Sequence, residues 1–258
     1  MDPAASPIPP AALVTGGGQR LGRAIALALA GAGFDVAVHY RSGQDEAERT
    51  AGEIRHMGRR AGCVFGDLGQ EADTDSLVAR AADAVGPIGV LVNNASVFER
   101  DEVLTSDRAA WDAHMEPNLR APFVLTQRFA AALPPDADGV VINMLDQRVW
   151  SLTPHFVSYT LSKAGLWALT QSLALALAPR VRVNAIGPGP ALPSPRQSPE
   201  QFARQCASTP LKRGTSPEEI GRAVLAILAL RSMTGQMIAL DGGQHMQWSP
   251  AGHQEPEE

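Results

Sequence analysis

The chain has 258 residues, a formal net charge of −5, 45% hydrophobic residues and only 5% aromatic ones. That length suits one α/β domain with a large core, and the modest negative charge gives nucleic acid no electrostatic foothold. No run approaches the ~20 apolar residues of a membrane span, and Cys63 and Cys206 stand apart from each other and from any metal-like spacing, so a reduced, cytoplasmic protein without a metal site is expected.

Residues 1–10 are proline-rich and lack the charged-then-apolar order of a secretion signal, so they read as a flexible leader to a domain over residues 11–248. The domain opens on the apolar run Ala11, Ala12, Leu13, Val14. Thr15-Gly16-Gly17-Gly18-Gln19-Arg20-Leu21-Gly22 follows, and then a stretch rich in Ala, Leu and Ile. Strand, glycine turn and helix in that order form a dinucleotide entry, where backbone N–H groups at a helix N-terminus meet a pyrophosphate. Gly16, Gly18, Arg20, Leu21 and Gly22 are its candidate residues.

A second strand, Asp35-Val36-Ala37-Val38-His39-Tyr40, ends in Arg41-Ser42-Gly43. Folds that choose NAD usually place an acidic residue there for the ribose 2′-hydroxyl. Here Arg41 can pair with a 2′-phosphate and Ser42 can donate to it, with no carboxylate in the segment to repel it, so the cofactor reads as NADPH. A solvated loop cation is the plainer role open to Arg41.

Residues 139–145 form another apolar run, which ends at Asp146. Tyr159 and Lys163 follow, one helical turn apart. That spacing sets an ammonium beside a phenol on one helix face, and a nearby positive charge favours the phenolate. A tyrosine so placed is a usable proton donor near neutral pH, and Asp146 is positioned to reach the same centre. The prolines and small polar residues of 190–208 indicate a loop. The helix after Tyr159 carries Leu166, Trp167, Leu169, Leu173 and Leu175 around more than one face, so it must be buried on several sides. Residues 249–258 are polar and read as a mobile tail.

With these segments the chain resembles the short-chain dehydrogenase/reductase family over nearly its whole length. The resemblance implies a single doubly wound α/β domain of Rossmann type, with a parallel seven-stranded sheet flanked by helices. It also implies roles by position. Asp67 and Leu68 flank the adenine, and Tyr40 belongs to the cofactor wall. Asn94, Ala95 and Ser96 flank the cofactor after the fourth strand. Asn118 holds a water in a proton relay, and Pro188 and Gly189 lie beside the nicotinamide. Lys163 holds its ribose. The family closes the stretch after Gly189 over substrate, and it uses the helices of Asn118 and Tyr159 for a homotetramer.

Three departures narrow the resemblance. Most of the family has Gly at Arg20, a catalytic Ser at Asp146 and Gly at Ser96. All three changes together, with Ser96-Val97-Phe98, resemble the pteridine reductase branch, including the bacterial dihydromonapterin reductases. The expected function is therefore NADPH-dependent reduction of a pterin or folate ring. Tyr159, Lys163, Asp146 and Asn118 are the expected catalytic residues, and Arg20, Ser96 and Phe98 complete the substrate site with Asp146 and Tyr159. Reducing a ring C=N bond needs a proton on nitrogen, which a carboxyl group can help relay. A carbonyl or 3-oxoacyl thioester reductase is the alternative, and a silent cofactor-binding sensor a more distant one. Plainer roles are open too. Asp146 can cap its strand, Phe98 can pack under its loop, and Arg20 can pair with Asp67. Trp150, His155 and Phe156 can be pocket wall or packing.

Overall fold

The computed structural model describes residues 7–194 and 196–246. Strands and helices alternate along the chain: β1 (Ala11–Val14), α1 (Arg20–Gly31), β2 (Asp35–Tyr40), α2 (Gln44–His56), β3 (Ala61–Phe65), α3 (Glu71–Val85) and β4 (Val90–Asn93). There follow α4 (Arg108–Met115), α5 (Ala121–Ala132), β5 (Gly139–Met144), α6 (Val157–Ala176), β6 (Val181–Pro188), α7 (Pro199–Ser208), α8 (Pro217–Ala229) and β7 (Met237–Leu240). The strands form one parallel seven-stranded sheet in the order β3-β2-β1-β4-β5-β6-β7, as expected.

The five inner strands, β1, β2, β4, β5 and β6, are buried on both faces, which is why their sequences are rich in Val, Ile, Leu and Ala, whereas the edge strands β3 and β7 are partly exposed. Leu13 and Leu91 face one core with Leu77, Leu125, Phe129 and Leu173 from α3, α5 and α6. Val14, Val90 and Val92 face the other with Ile25, Leu29, Ile54, Ile220 and Ile227 from α1, α2 and α8. Strand order reverses between β1 and β4, and the crevice beyond the carboxyl ends at such a switch is where open α/β sheets take ligands.

Two expectations need correction. Residues 7–10, assigned to a flexible leader, are held in place: Pro10 accepts from the Asp35 amide at 2.9 Å and Pro7 from the Asp138 amide at 3.2 Å. Residues 1–6 and the expected tail at 249–258 lie outside the described residues. The stretch 190–208 is not all loop, because α7 fills its second half. Ser198 and Gln201 make a reciprocal capping box there, with Pro199 at the first helical position. Ser-Pro-Glu-Gln is itself a start signal, and the neighbouring prolines obscured it.

The multi-sided apolar character of α6 has two outlets. Leu166 and Leu173 are buried, whereas Leu161 and Leu175 face outward. Among the described residues no helix is long and apolar enough to cross a membrane.

Candidate active site

At the switch between β1 and β4 the backbone turns sharply. Gly16 has φ +61°, a left-handed conformation that favours glycine. A Cβ on Gly22 would lie 2.1 Å from the Gly16 carbonyl oxygen and 2.6 Å from Asn94 Nδ2, so only glycine lets α1 start this close to the turn. His39 ties the turn from behind. Its Nδ1 accepts from the Gly16 amide at 3.0 Å and its Nε2 donates to the Gly66 carbonyl at 3.0 Å. Burial pushes its pKa down to about 4, so the ring is neutral at physiological pH and works as a two-sided peg. Sequence reading assigned His39 nothing.

A groove of about 350 Å³ opens above the turn. Gly16, Gly18, Arg20, Leu21, Gly22, Tyr40, Arg41, Ser42, Asp67, Leu68, Asn94, Ala95 and Ser96 all border it, which gathers nearly the whole expected cofactor set in one place. The start of α1 has no side-chain cap and no acidic residue in its first turn. Helix N–H groups left in that state suit an anionic phosphate. Arg41 and Ser42 are exposed at the groove's end. The expected absence of a carboxylate there needs qualifying: Glu46, one turn into α2, also lines the groove, and its charge is paired with Arg49 at 3.0 Å.

A second cavity of about 240 Å³ shares Arg20, Leu21, Asn94 and Ser96 with the first and continues to Phe98, Asp146, Tyr159, Lys163, Pro188 and Gly189. Tyr159 Oη donates to Asp146 Oδ2 at 2.9 Å. The other carboxylate oxygen accepts from the Arg148 amide at 2.8 Å, so Asp146 caps a short helical turn, Gln147–Val149, while it meets the phenol. The cap and the contact with the phenol thus use different oxygens of one carboxylate. Lys163 is buried on the same face of α6, with Nζ 5.8 Å from the Tyr159 ring centroid and donating to the Met144 carbonyl at 2.8 Å. Burial pushes its pKa down to about 8, although the nearby Asp146 carboxylate acts to raise it.

Asn118 sits on a π-helical turn, Glu116–Arg120, between α4 and α5. Its amide accepts from the Val97 amide at 2.8 Å, and donates to the Val97 carbonyl at 2.9 Å and Ser162 Oγ at 3.1 Å. Its Oδ1 also accepts from Ser96 Oγ at 3.2 Å. Asn118 thus clasps the loop after β4 to α6.

Arg148 was not anticipated. Its Nη1 pairs with Asp146 Oδ2 at 3.1 Å, and its guanidinium lies 5.3 Å from the ring centroids of both Phe98 and Phe156. A cation two residues past the expected catalytic acid was the only sequence signal for it. Phe156 stacks on Phe98 at 4.6 Å with a 10° interplanar angle, and Phe98 meets Tyr159 edge-on at 4.6 Å. Phe98 therefore both packs and lines the cavity. Arg20 does not pair with Asp67: its Nη2 donates to the Pro193 carbonyl at 2.9 Å and the Leu192 carbonyl at 3.4 Å. Arg196 fastens the same segment, donating to Glu99 at 2.6 Å and the Phe98 carbonyl at 2.8 Å. His155 is drawn away from the cavity onto Glu102 at 2.8 Å, and Trp150 lies edge-on to Trp167 and His245. Among the described residues no group of His, Cys, Asp and Glu side chains could hold a metal.

A phenol held by a carboxylate, with a buried ammonium behind its ring, can release and recover a proton beside an aromatic wall. A family model described as enoyl-(acyl carrier protein) reductase matches residues 18–245. The 3-oxoacyl-[acyl-carrier-protein] reductase of Staphylococcus epidermidis is 30% identical over 240 residues, 91% of this chain and 98% of that protein. Among solved structures, FolM alternative dihydrofolate reductase 1 from Brucella suis, in complex with NADP, is 52% identical, with a TM-score of 0.90 over 93% of this chain and 96% of that one. The Brucella canis counterpart, also complexed with NADP, is 51% identical, with a TM-score of 0.91 over 95% and 97%.

Proposed function

The chain belongs to the short-chain dehydrogenase/reductase family and is an NADP-dependent oxidoreductase; from that premise we propose that it reduces a dihydropterin-type ring, with dihydrofolate as a related substrate. The observation that carries the proposal is the 2.9 Å bond from Tyr159 to a carboxylate, where most of the family places a serine hydroxyl.

The reduced nicotinamide, when bound, supplies the hydride. Gly16, Gly18, Leu21 and Gly22 hold the phosphates against the start of α1, and Arg41 and Ser42 take the 2′-phosphate. Asp67 and Leu68, with Tyr40, hold the adenine end. Asn94, Ala95, Ser96, Pro188 and Gly189 frame the nicotinamide end, and Lys163 holds its ribose. Phe98 offers its ring to the flat substrate, and Arg20 closes the segment above it. Tyr159 delivers its proton to the ring nitrogen by turning its O–H from Asp146. Lys163 and Arg148 supply two positive charges against the one carboxylate, so the phenolate left behind is electrostatically supported. Asp146 then steadies the phenol as it is reloaded. Asn118 keeps the loop of Ser96 and Phe98 in register with Tyr159.

A homotetramer suits the outward Leu161 and Leu175 of α6, and a reducing cytoplasm suits the free thiols of Cys63 and Cys206. The second reading, a 3-oxoacyl thioester reductase, is favoured by the Staphylococcus relative. NADPH oxidation with dihydrobiopterin, dihydromonapterin and dihydrofolate, set against acetoacetyl thioesters, separates the two. Turnover confined to the thioesters overturns the pterin reading.

Two checks address the cofactor and proton roles. Arg41→Ala removes a charge-assisted contact worth roughly 1.5–3 kcal/mol, so kcat/KM for NADPH falls about 10- to 100-fold while that for NADH changes little. Equal losses with both cofactors would remove Arg41 from the 2′-phosphate. Turnover also depends on the Lys163 ammonium, which predominates below its pKa of about 8 and is lost as pH rises through it. The kcat profile should therefore fall on the alkaline side near that value; a profile flat to well above it would show that the ammonium is not needed.

A further inference from the structure

Two residues lining the second cavity each carry a buried polar atom without a partner among the described residues. Gln147 directly follows Asp146 on the short helical turn and is only 5% exposed. Its Oε1 is buried and has no hydrogen-bond partner among the described residues, and neither has Ser194 Oγ. Both residues line the cavity that holds Asp146, Tyr159 and Phe98. The Ser194 backbone, by contrast, is bonded through both its carbonyl and its amide to Gln197, so its main chain is set while its hydroxyl is not used. A buried polar atom without a partner is unfavourable, and two in one wall point to a ligand that supplies the missing bonds.

We propose that Gln147 and Ser194 form a subsite for hydroxyl groups on the substrate's ring-borne side chain. This rests on the dihydropterin reading above. An amide and a hydroxyl are neutral, and an alcohol, being both donor and acceptor, satisfies either one whichever way the amide is turned. An aliphatic acyl chain in the same place would leave both atoms buried and unsatisfied. Gln147 and Ser194 therefore select a short polyhydroxylated chain over an apolar one. Gln147 comes from the rigid turn beside the carboxylate and Ser194 from the segment that Arg20 fastens, so the subsite closes only when that segment is in place.

The test compares 7,8-dihydrobiopterin, which carries two side-chain hydroxyls, with 6-methyl-7,8-dihydropterin, which has the same ring and none. Wild-type enzyme should favour the first in kcat/KM. Gln147→Leu and Ser194→Ala should each shrink that preference about fivefold, mainly through a higher KM for dihydrobiopterin, since one neutral hydrogen bond is worth about 1 kcal/mol. Equal losses on both pterins, or an undiminished preference in both variants, would overturn the subsite while leaving the pterin reading standing. A wild-type enzyme that reduces neither pterin but turns over acetoacetyl thioesters overturns the parent reading instead. Should Gln147→Leu fail to fold, Ser194→Ala on the outer segment decides the question by the same ratio.

Discussion

Replacing Tyr159 by Phe should lower kcat by roughly 10²–10⁴-fold, the range that a positioned general acid contributes, while NADPH binding changes by less than about twofold. The ring itself is needed for packing, since it meets Phe98 edge-on and is nearly buried, and Phe preserves that contact. Only the hydroxyl and its 2.9 Å bond to Asp146 are lost. Single-turnover rates with saturating dihydropterin, beside a fluorescence titration with NADPH, measure the two quantities separately. Wild-type-like turnover in this variant would strip Tyr159 of the proton.

The second large effect is expected from Asp146→Ser, which restores the residue that most of the family carries. Pterin reduction should fall about 100-fold, because the variant removes both the acceptor of the Tyr159 hydrogen bond and the anion paired with Arg148; hydrogen bonds to a charged group are worth roughly 1.5–3 kcal/mol each. Any side activity on a simple ketone should fall less, since a serine hydroxyl can steady a carbonyl oxygen. The ratio of the two activities is the readout. Equal losses would reduce Asp146 to the cap of its helical turn. Serine can keep that cap by accepting from the Arg148 amide, so the fold should survive the change.

Much of this molecule was legible in its sequence because its apolar runs and its short motifs agree. The apolar runs mark strands buried on both faces, and the glycine turn marks where β1 meets α1; both follow from local chemistry. The candidate cofactor residues come together for the same reason: all but Lys163, which α6 carries, lie at or just beyond a strand's carboxyl end, and a parallel sheet brings those ends to one edge. What stayed hidden depends on contacts between distant segments. Arg148 looks like an ordinary loop cation until Phe98 and Phe156 arrive beneath it from 50 residues away in one case and 8 in the other. His39 looks like a stray histidine within a strand until Gly16 and Gly66 close on its two nitrogens. Arg20, expected in the cofactor and substrate sites, borders both cavities, but its hydrogen-bond partners are carbonyls more than 170 residues on. Helix α7 was concealed by composition, since prolines that signal a loop also begin a helix when a serine precedes them.

The π-helical turn at Glu116–Arg120 has a consequence for which changes this stretch can accept. Such a turn amounts to one surplus residue in an otherwise regular helix. Deleting one residue there would restore regular winding and leave the helix downstream on its present face, because the wide turn already absorbs that residue within one winding. Phe129 and Leu125 would stay buried against the sheet, and the loss would be local, at the point where Asn118 meets Val97 and Ser162. The surplus residue therefore serves the loop beside Tyr159 and not the core, and a shortened variant should keep its fold while losing that clasp.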